Sequence, residues 1–273
     1  MIVTVSVPRS RQPHSWRALA LVLICAFPSG CATNRPTAAT PGATPPATTP
    51  ATPASTTTPV QSSAEALPDS LKWVQRSAEY HASVLQTYRV AAAAIERHAS
   101  TSGGRTWAVI LDADETVISN LTYQIERARI GAAFSPESWN VWVRRREATP
   151  LPGASEFLAR VRALGGRIAI VTNRLQSECE DTQAVFRAGG LVFDAMLCRP
   201  DGGPSDKNPR FAAVASGQTA AGPAPIDVVA FIGDNIHDFP SLTQAARQQG
   251  ETALAPFGVS YFMIPNPMYG SWQ

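Results

Sequence analysis

Asp112-Ala113-Asp114-Glu115-Thr116 places two carboxylates two residues apart, directly after the apolar run Trp107 to Leu111. In extended chain, positions i and i+2 face the same side. In a turn just past a strand end, one can instead face a substrate and the other its leaving group. A carboxylate can be a covalent nucleophile, and a second carboxyl can give and then take a proton. Asp-x-Asp is also common in loops and calcium sites, so its meaning depends on what stands nearby. Thr172-Asn173 follows another apolar run and offers a hydroxyl and an amide to phosphate oxygens. Lys207, in a polar loop, can neutralise a phosphate and a nucleophile. Gly233-Asp234-Asn235-Ile236-His237-Asp238 adds carboxylates where a hard cation could bind. Magnesium takes oxygen ligands and keeps several waters, so one or two carboxylates and a carbonyl suffice.

The elements that must hold these groups follow a simple alternation. Short apolar runs are predicted as strands at Trp107 to Leu111, Arg167 to Val171, Leu191 to Leu197, Val228 to Ile232 and Tyr261 to Ile264, each followed by polar residues. Between them lie helical stretches such as Pro152 to Leu164 and Ser177 to Ala188, closed by glycine. The pattern predicts an α/β fold, a Rossmann-like parallel sheet with helices on both faces. Ligands bind such sheets at the carboxyl ends of the strands, where every polar cluster above falls. Ahead of the first strand, Leu71, Val74, Ala78, Leu85, Tyr88 and Ala92 recur at helical spacing, with Asp69 or Ser70 able to cap the start of one helix or a pair. The segment from about 118 to 149 interrupts the alternation and carries Tyr123, Phe134, Trp139 and Trp142 among charged residues. It is expected to form a small cap over the site.

Taken together, Asp112-Ala113-Asp114-Glu115-Thr116-Val117, Thr172-Asn173-Arg174, Lys207 and Gly233-Asp234-Asn235 with Asp238 resemble the four motifs of the haloacid dehalogenase-like (HAD-like) superfamily. Within it the chain resembles the class C acid phosphatases, the bacterial lipoprotein 5′-nucleotidase-like family. Trp73 with Ser77-Ala78-Glu79-Tyr80, Asn120, Tyr123, and the ending Ile264-Pro265-Asn266, Tyr269-Gly270 and Trp272 extend the likeness from about Leu71 onward. Ala113 departs from the larger aliphatic usual in the family. The resemblance implies a Mg2+-dependent phosphomonoesterase in which Asp112 attacks phosphorus and forms an aspartyl-phosphate. Asp114 would protonate the leaving oxygen and then deprotonate water, which implies an acidic activity optimum. Magnesium would sit between the Asp112 and Asp234 side chains, the Asp114 carbonyl and the phosphate. Thr172, Asn173 and Lys207 would hold phosphate oxygens, and Asp238 would fix Lys207 or a metal-bound water. Small phosphomonoesters are the implied substrates, nucleoside 5′-monophosphates among them, with hydrolysis or transfer to another alcohol left open. Dehalogenation, another chemistry of the superfamily, needs neither the metal nor an acid at Asp114. The rival function is a surface lipoprotein that binds a ligand with a non-catalytic phosphatase fold. The complete set of motif residues argues against it.

The rest of the chain bears on location. Arg9, Arg11 and Arg17 precede the apolar run Ala18 to Phe27 and then Pro28-Ser29-Gly30-Cys31, so residues 1–30 read as an export signal. Small residues before Cys31 resemble a lipobox, with Cys31 carrying the lipid; Cys25 follows bulky Ile24 and suits less, and a plain secretory peptide is the alternative. Of the 29 residues from Ala32 to Val60, 24 are Ala, Thr or Pro, so residues 31–66 read as a disordered, partly polyproline-like tether. The folded domain is expected over 67–273. These features predict a lipoprotein of the cell envelope, at the outer membrane of a Gram-negative bacterium. The formal charge is +2; without those three arginines, 20 basic residues face 21 acidic ones, a balance of −1. Such a domain has no electrostatic footprint for a nucleic-acid polymer.

Several residues admit plainer readings. The aromatics of the 118–149 segment can stack on a base or pack on one another. His237 is expected to be a solvent-facing loop residue, since carboxylates cover the acid–base work, and His81 and His98 to be structural. Cys179 and Cys198, the two cysteines of the folded part, can be free or bridged in an oxidising compartment.

Overall fold

The computed structural model describes residues 67–273 apart from 220, 223 and 224. The signal of residues 1–30, the tether of 31–66 and Cys31 lie outside the described residues. Among the described residues, no helix is long and apolar enough to cross a membrane.

Two helices open the domain, α1 (Asp69–Arg76) and α2 (Ala78–Thr101). Ser77 separates them in an extended conformation and caps α2, its Oγ accepting from the Tyr80 amide at 3.0 Å. That cap satisfies an amide that has no intrahelical partner. The start of α1 lacks such a bond: Pro68 occupies the cap position, not Asp69 or Ser70. Tyr80, Val84, Tyr88, Ala91 and Ile95 recur every three or four residues and form the buried face of α2.

The sheet is built from β1 (Trp107–Leu111), β4 (Arg167–Leu175), β5 (Ala195–Arg199), β6 (Asp227–Gly233) and β7 (Tyr261–Met263), in the spatial order β5-β4-β1-β6-β7 and parallel throughout. The central strand β1 is buried along its whole length, as expected of a strand covered on both faces. Its alternate side chains feed two cores. Val109 and Leu111 pack with α2 and with α5 (Ala154–Ala163), whereas Ala108 and Ile110 pack with α7 (Asn208–Ala215).

Between β1 and α5 the chain makes an insert. A short antiparallel neck, β2 (Ile118–Ser119) with β3 (Thr149–Pro150), holds α3 (Leu121–Arg129) and α4 (Pro136–Arg145). Ser135 caps α4 and Pro136 takes its first turn, where a missing N–H costs nothing. Tyr123, Trp139 and Trp142 pack ring against ring, with centroids 5.2 to 5.7 Å apart. Arg146, just past α4, pairs with Asp181 of α6 (Cys179–Ala188) at 2.7 Å.

Two strands differ from the sequence expectation. The fourth strand continues past Val171 to Leu175, which pairs with Arg199 after a break in register. The fifth begins at Ala195 rather than Leu191: the Leu191 amide closes the end of α6 on Phe186, and Asp194 turns back to accept from the Ile168 amide at 2.8 Å. Cys179 and Cys198 are joined in a disulfide, which ties the start of α6 to β5.

Candidate active site

The polar groups converge where β1, β4 and β6 end. Asp112 leaves β1 with its amide still bonded to the Ile232 carbonyl of β6, at 3.0 Å. The chain then turns tightly. The amides of Val117 and Ile118 both donate to the Ala113 carbonyl at 2.9 Å, and Glu115 takes a positive φ of 52°. This turn sends the carboxylates of Asp112 and Asp114 in different directions.

Asp112 meets Lys207, whose ammonium donates to Asp112 Oδ1 and, at 2.6 Å, to Asp238 Oδ1. Lys207 is 3% exposed, so all three charges are screened little by water. Burial alone would lower the lysine's pKa; Asp112 and Asp238 outweigh it and raise it. Carboxylate oxygens of Asp112, Asp234 and Asp238 lie within 4.8 Å of one another. Burial is the main cause that pushes Asp112 up to about 7; Lys207 opposes it, and the neighbouring carboxylates add to it. Asp234 is raised well above the usual carboxylate range, again by burial first and then by Asp238 and Asp112. Three oxygen donors whose charges crowd one another match a hard divalent cation. Gly233 is needed here: a Cβ at that position would lie 2.2 Å from the Cβ of Asp238. Asn266 donates to Asp234 Oδ2 at 2.8 Å, and Thr116 to its Oδ1 at 3.3 Å.

Asp114 faces elsewhere. Arg174, with 1% of its side chain exposed, donates from Nε and Nη2 to the Asp114 carboxylate at 2.8 to 3.2 Å. Asn120, fully buried, adds a donor at 2.8 Å. The Arg174 guanidinium lies 5.1 Å from the Trp139 ring centre and 5.9 Å from that of Trp142. Arg174 and Asn120 stand in the stretches that carry the family resemblance, and their residue types alone assign neither a role. Nothing local in the sequence joins them to Asp114 across 60 and 6 residues.

A cavity of about 1090 Å³ opens over Asp112, Asp114, Asp234 and Asp238, with Asn173 and Arg174 on its wall. Phe134 and Trp139 of the insert line it, and so does Tyr269. Tyr123 and Trp142 do not: they are 1% and 2% exposed and serve as packing. Asn173 reaches the cavity, whereas Thr172 is fully buried and its hydroxyl oxygen accepts from the Arg174 amide at 3.1 Å. Arg210 braces this corner from behind, donating to the Thr172 carbonyl and, at 2.6 Å, to Asn173 Oδ1. His237 is exposed at the cavity edge, and His98 is packed edge-on to Trp107.

A carboxylate held at the end of the central strand by a buried lysine, beside two further carboxylates, defines a phosphatase site of the HAD type. The chain belongs to the HAD superfamily, subfamily IIIB (acid phosphatase), whose family model matches residues 43–272. Within that group it is an acid phosphatase of the class C type. It is similar to the class C acid phosphatase from Bacillus anthracis, at 26% identity and a TM-score of 0.66, over 75% of this chain and 85% of that one. The same enzyme with tungstate bound matches with a TM-score of 0.67 at the same identity and coverage.

Proposed function

We propose that this acid phosphatase hydrolyses phosphomonoesters through an aspartyl-phosphate on Asp112, with Mg2+ as its ion. The observation that carries the reading is Asp112 itself: one oxygen is engaged by Lys207, and its carboxylate stands beside Asp234 and Asp238 at the floor of the cavity. The oxygen that Lys207 leaves free forms the new O–P bond as the ester P–O bond breaks. The leaving oxygen takes the electron pair of that bond and a proton from Asp114. Water then attacks the aspartyl-phosphate, gives its proton to Asp114, and releases phosphate and the Asp112 carboxylate. Lys207 and Asn173 orient phosphate oxygens, with Thr172 shaping the loop that presents Asn173. Asp112, Asp234 and the Asp114 carbonyl would hold the ion, with Asp238 adjacent; when bound it neutralises charge on the phosphoryl oxygens. Phosphoryl transfer relies mainly on such positioning and neutralisation.

For the leaving group, Phe134, Trp139 and Tyr269 offer flat apolar faces, which suits nucleoside 5′-monophosphates. The insert over residues 118–149 acts as the cap. The lipid anchor at Cys31 and the tether would hold the domain at the outer membrane. Release of p-nitrophenol from its phosphate, lost on chelation and restored by Mg2+, tests the core of the reading. Rates unaffected by chelation would exclude the metal, and a pH profile flat from about 5 to 8 would exclude Asp114 as the acid. A panel of nucleotides, sugar phosphates and phosphotyrosine tests the substrate class, and fatty-acid labelling of Cys31 tests the anchor.

A further inference from the structure

The two oxygens of Asp114 are held unequally. Oδ1 accepts from Arg174 Nε at 3.0 Å, from Arg174 Nη2 at 2.8 Å and from Asn120 Nδ2 at 2.8 Å. Among the described residues, Oδ2 accepts only the longer contact from Arg174 Nε, at 3.2 Å. Arg174 is itself anchored from three sides. Its Nη1 donates to Thr182 Oγ1 at 3.2 Å, its Nη2 to Asn120 Oδ1 at 3.2 Å, and its flat face lies against Trp139 and Trp142. Asn120 is shared in turn with the hydroxyl of Tyr269 at 3.3 Å. A planar guanidinium locked in this way fixes the rotamer of the carboxylate it grips, which a lysine ammonium cannot do.

We propose that Arg174 is the positioning residue of proton transfer. It pins Asp114 by Oδ1, leaves Oδ2 as the oxygen that carries the proton, and couples that oxygen to the aromatic wall through Trp139. The inference rests on the reading of Asp114 as the acid. It deepens that reading by tying leaving-group preference to proton delivery. A substrate whose leaving oxygen departs as a stable anion needs little help from Asp114, whereas an alkyl alkoxide needs the proton. The Arg174 network therefore matters most for phosphate esters of aliphatic alcohols, the 5′-hydroxyl of a nucleoside included, and least for esters of acidic phenols.

The test compares kcat/KM on glycerol 2-phosphate and on p-nitrophenyl phosphate, since this constant reports the step in which the ester bond breaks. Arg174→Ala is expected to lose about 100-fold on glycerol 2-phosphate and less than about 10-fold on p-nitrophenyl phosphate. Arg174→Lys, which keeps the charge but not the fork, is expected to show the same pattern. Added guanidinium should restore part of the glycerol 2-phosphate activity of Arg174→Ala and none of that of Asp114→Asn, a readout available only in folded protein. Thr182→Val, which removes one anchor and leaves the guanidinium in place, provides a second and milder variant with the same direction of effect. Trp139→Leu should shift the ratio of the two substrates the same way, and should add nothing to that shift in the Arg174→Ala background. Equal losses on both substrates in folded Arg174→Ala and Thr182→Val, while Asp114→Asn discriminates between them, would overturn the role of Arg174. Equal losses in Asp114→Asn would instead overturn Asp114 as the acid.

Discussion

On one side of the cleft, Asp112, Asp234 and Asp238 are delivered by the backbone: Asp112 and Asp234 directly follow β1 and β6, Asp238 closes the short 3-10 turn after β6, and Lys207 fills the space between Asp112 and Asp238. On the other side, Asp114 is held by side chains from distant elements. Arg174 comes from the end of β4, Asn120 from the mouth of the insert, and Trp139 and Trp142 from α4. The first half is as rigid as the sheet. The second is as rigid as the packing of the insert, and it can be retuned by changing the insert without touching the nucleophile. This contrast separates making the phospho-enzyme from choosing which alcohol leaves.

Removing the nucleophile should break the first half outright. Asp112→Asn is expected to lower kcat by about four orders of magnitude or more on every phosphomonoester, measured by phosphate release. Retention of turnover within about tenfold of the parent would show that the strand-end carboxylate does not attack phosphorus. Lys207→Ala should cost about 100- to 1000-fold, the range seen when one preorganised charge is removed from an active site. Its loss should be the same for aryl and alkyl substrates, because Lys207 touches Asp112 and not the leaving group. A loss confined to alkyl esters would merge the two halves and remove the contrast.

The disulfide provides a third comparison, because it lies behind the site rather than in it. Cys179 and Cys198 are 19 residues apart and both nearly buried, and they join α6 to the strand that leads into the Lys207 loop. A loop of that size corresponds to about 3 kcal/mol of stabilisation, mainly by restricting the unfolded chain. The double variant Cys179→Ala with Cys198→Ala should melt at a lower temperature yet keep kcat/KM within about twofold at 25 °C. A large fall in activity without a fall in melting temperature would instead place the bridge in the positioning of Lys207.

The two halves also differ in how visible they are in the sequence. Asp112 and Asp234 are legible because strand ends are local features: an apolar run stops and a polar residue follows, whereas Lys207, in the polar loop after β5, is singled out by the family resemblance. The parallel sheet and its helices follow from the same alternation. The grip of Arg174 on Asp114 is not legible, since it depends on how α4 and α6 pack against β4. The same holds for the aromatics, where composition marks Tyr123, Trp139 and Trp142 alike and only packing divides the wall of the cavity from the core of the insert. The pairing of Cys179 with Cys198 needed the approach of α6 to β5. Thr172 shows the opposite limit: its residue type suits phosphate, but packing buries it fully, off the wall of the cavity.

Glu115 sits at the junction of the two halves, and its effect is read in stability rather than in turnover. It lies in the positive-φ turn, is 1% exposed, and accepts from the Asn120 amide at 2.6 Å through Oε1, while buried Oε2 has no hydrogen-bond partner among the described residues. Burial pushes its pKa up to about 8 from an ordinary 4.5, against the Asn120 amide bond that favours its charge. The folded protein therefore holds a proton on Glu115 that the unfolded chain gives up near pH 4.5. The stabilisation from that proton is complete below about pH 4.5 and is lost progressively as pH rises toward about 8. With magnesium saturating, so that Asp112 and Asp234 stay ionised, the melting temperature should fall across this window. Glu115→Gln keeps an acceptor for the Asn120 amide and cannot ionise, so it should flatten the fall between about pH 5 and 8 by roughly 10 °C, what about 3 kcal/mol gives in a domain of this size. Differential scanning fluorimetry at pH 5, 6.5 and 8 measures both curves. Parallel curves would mean that Glu115 enters the fold already ionised, with Arg174 as the nearby cation offsetting its charge. The junction would then belong to the side-chain network that holds Asp114 rather than to the turn that aims Asp112.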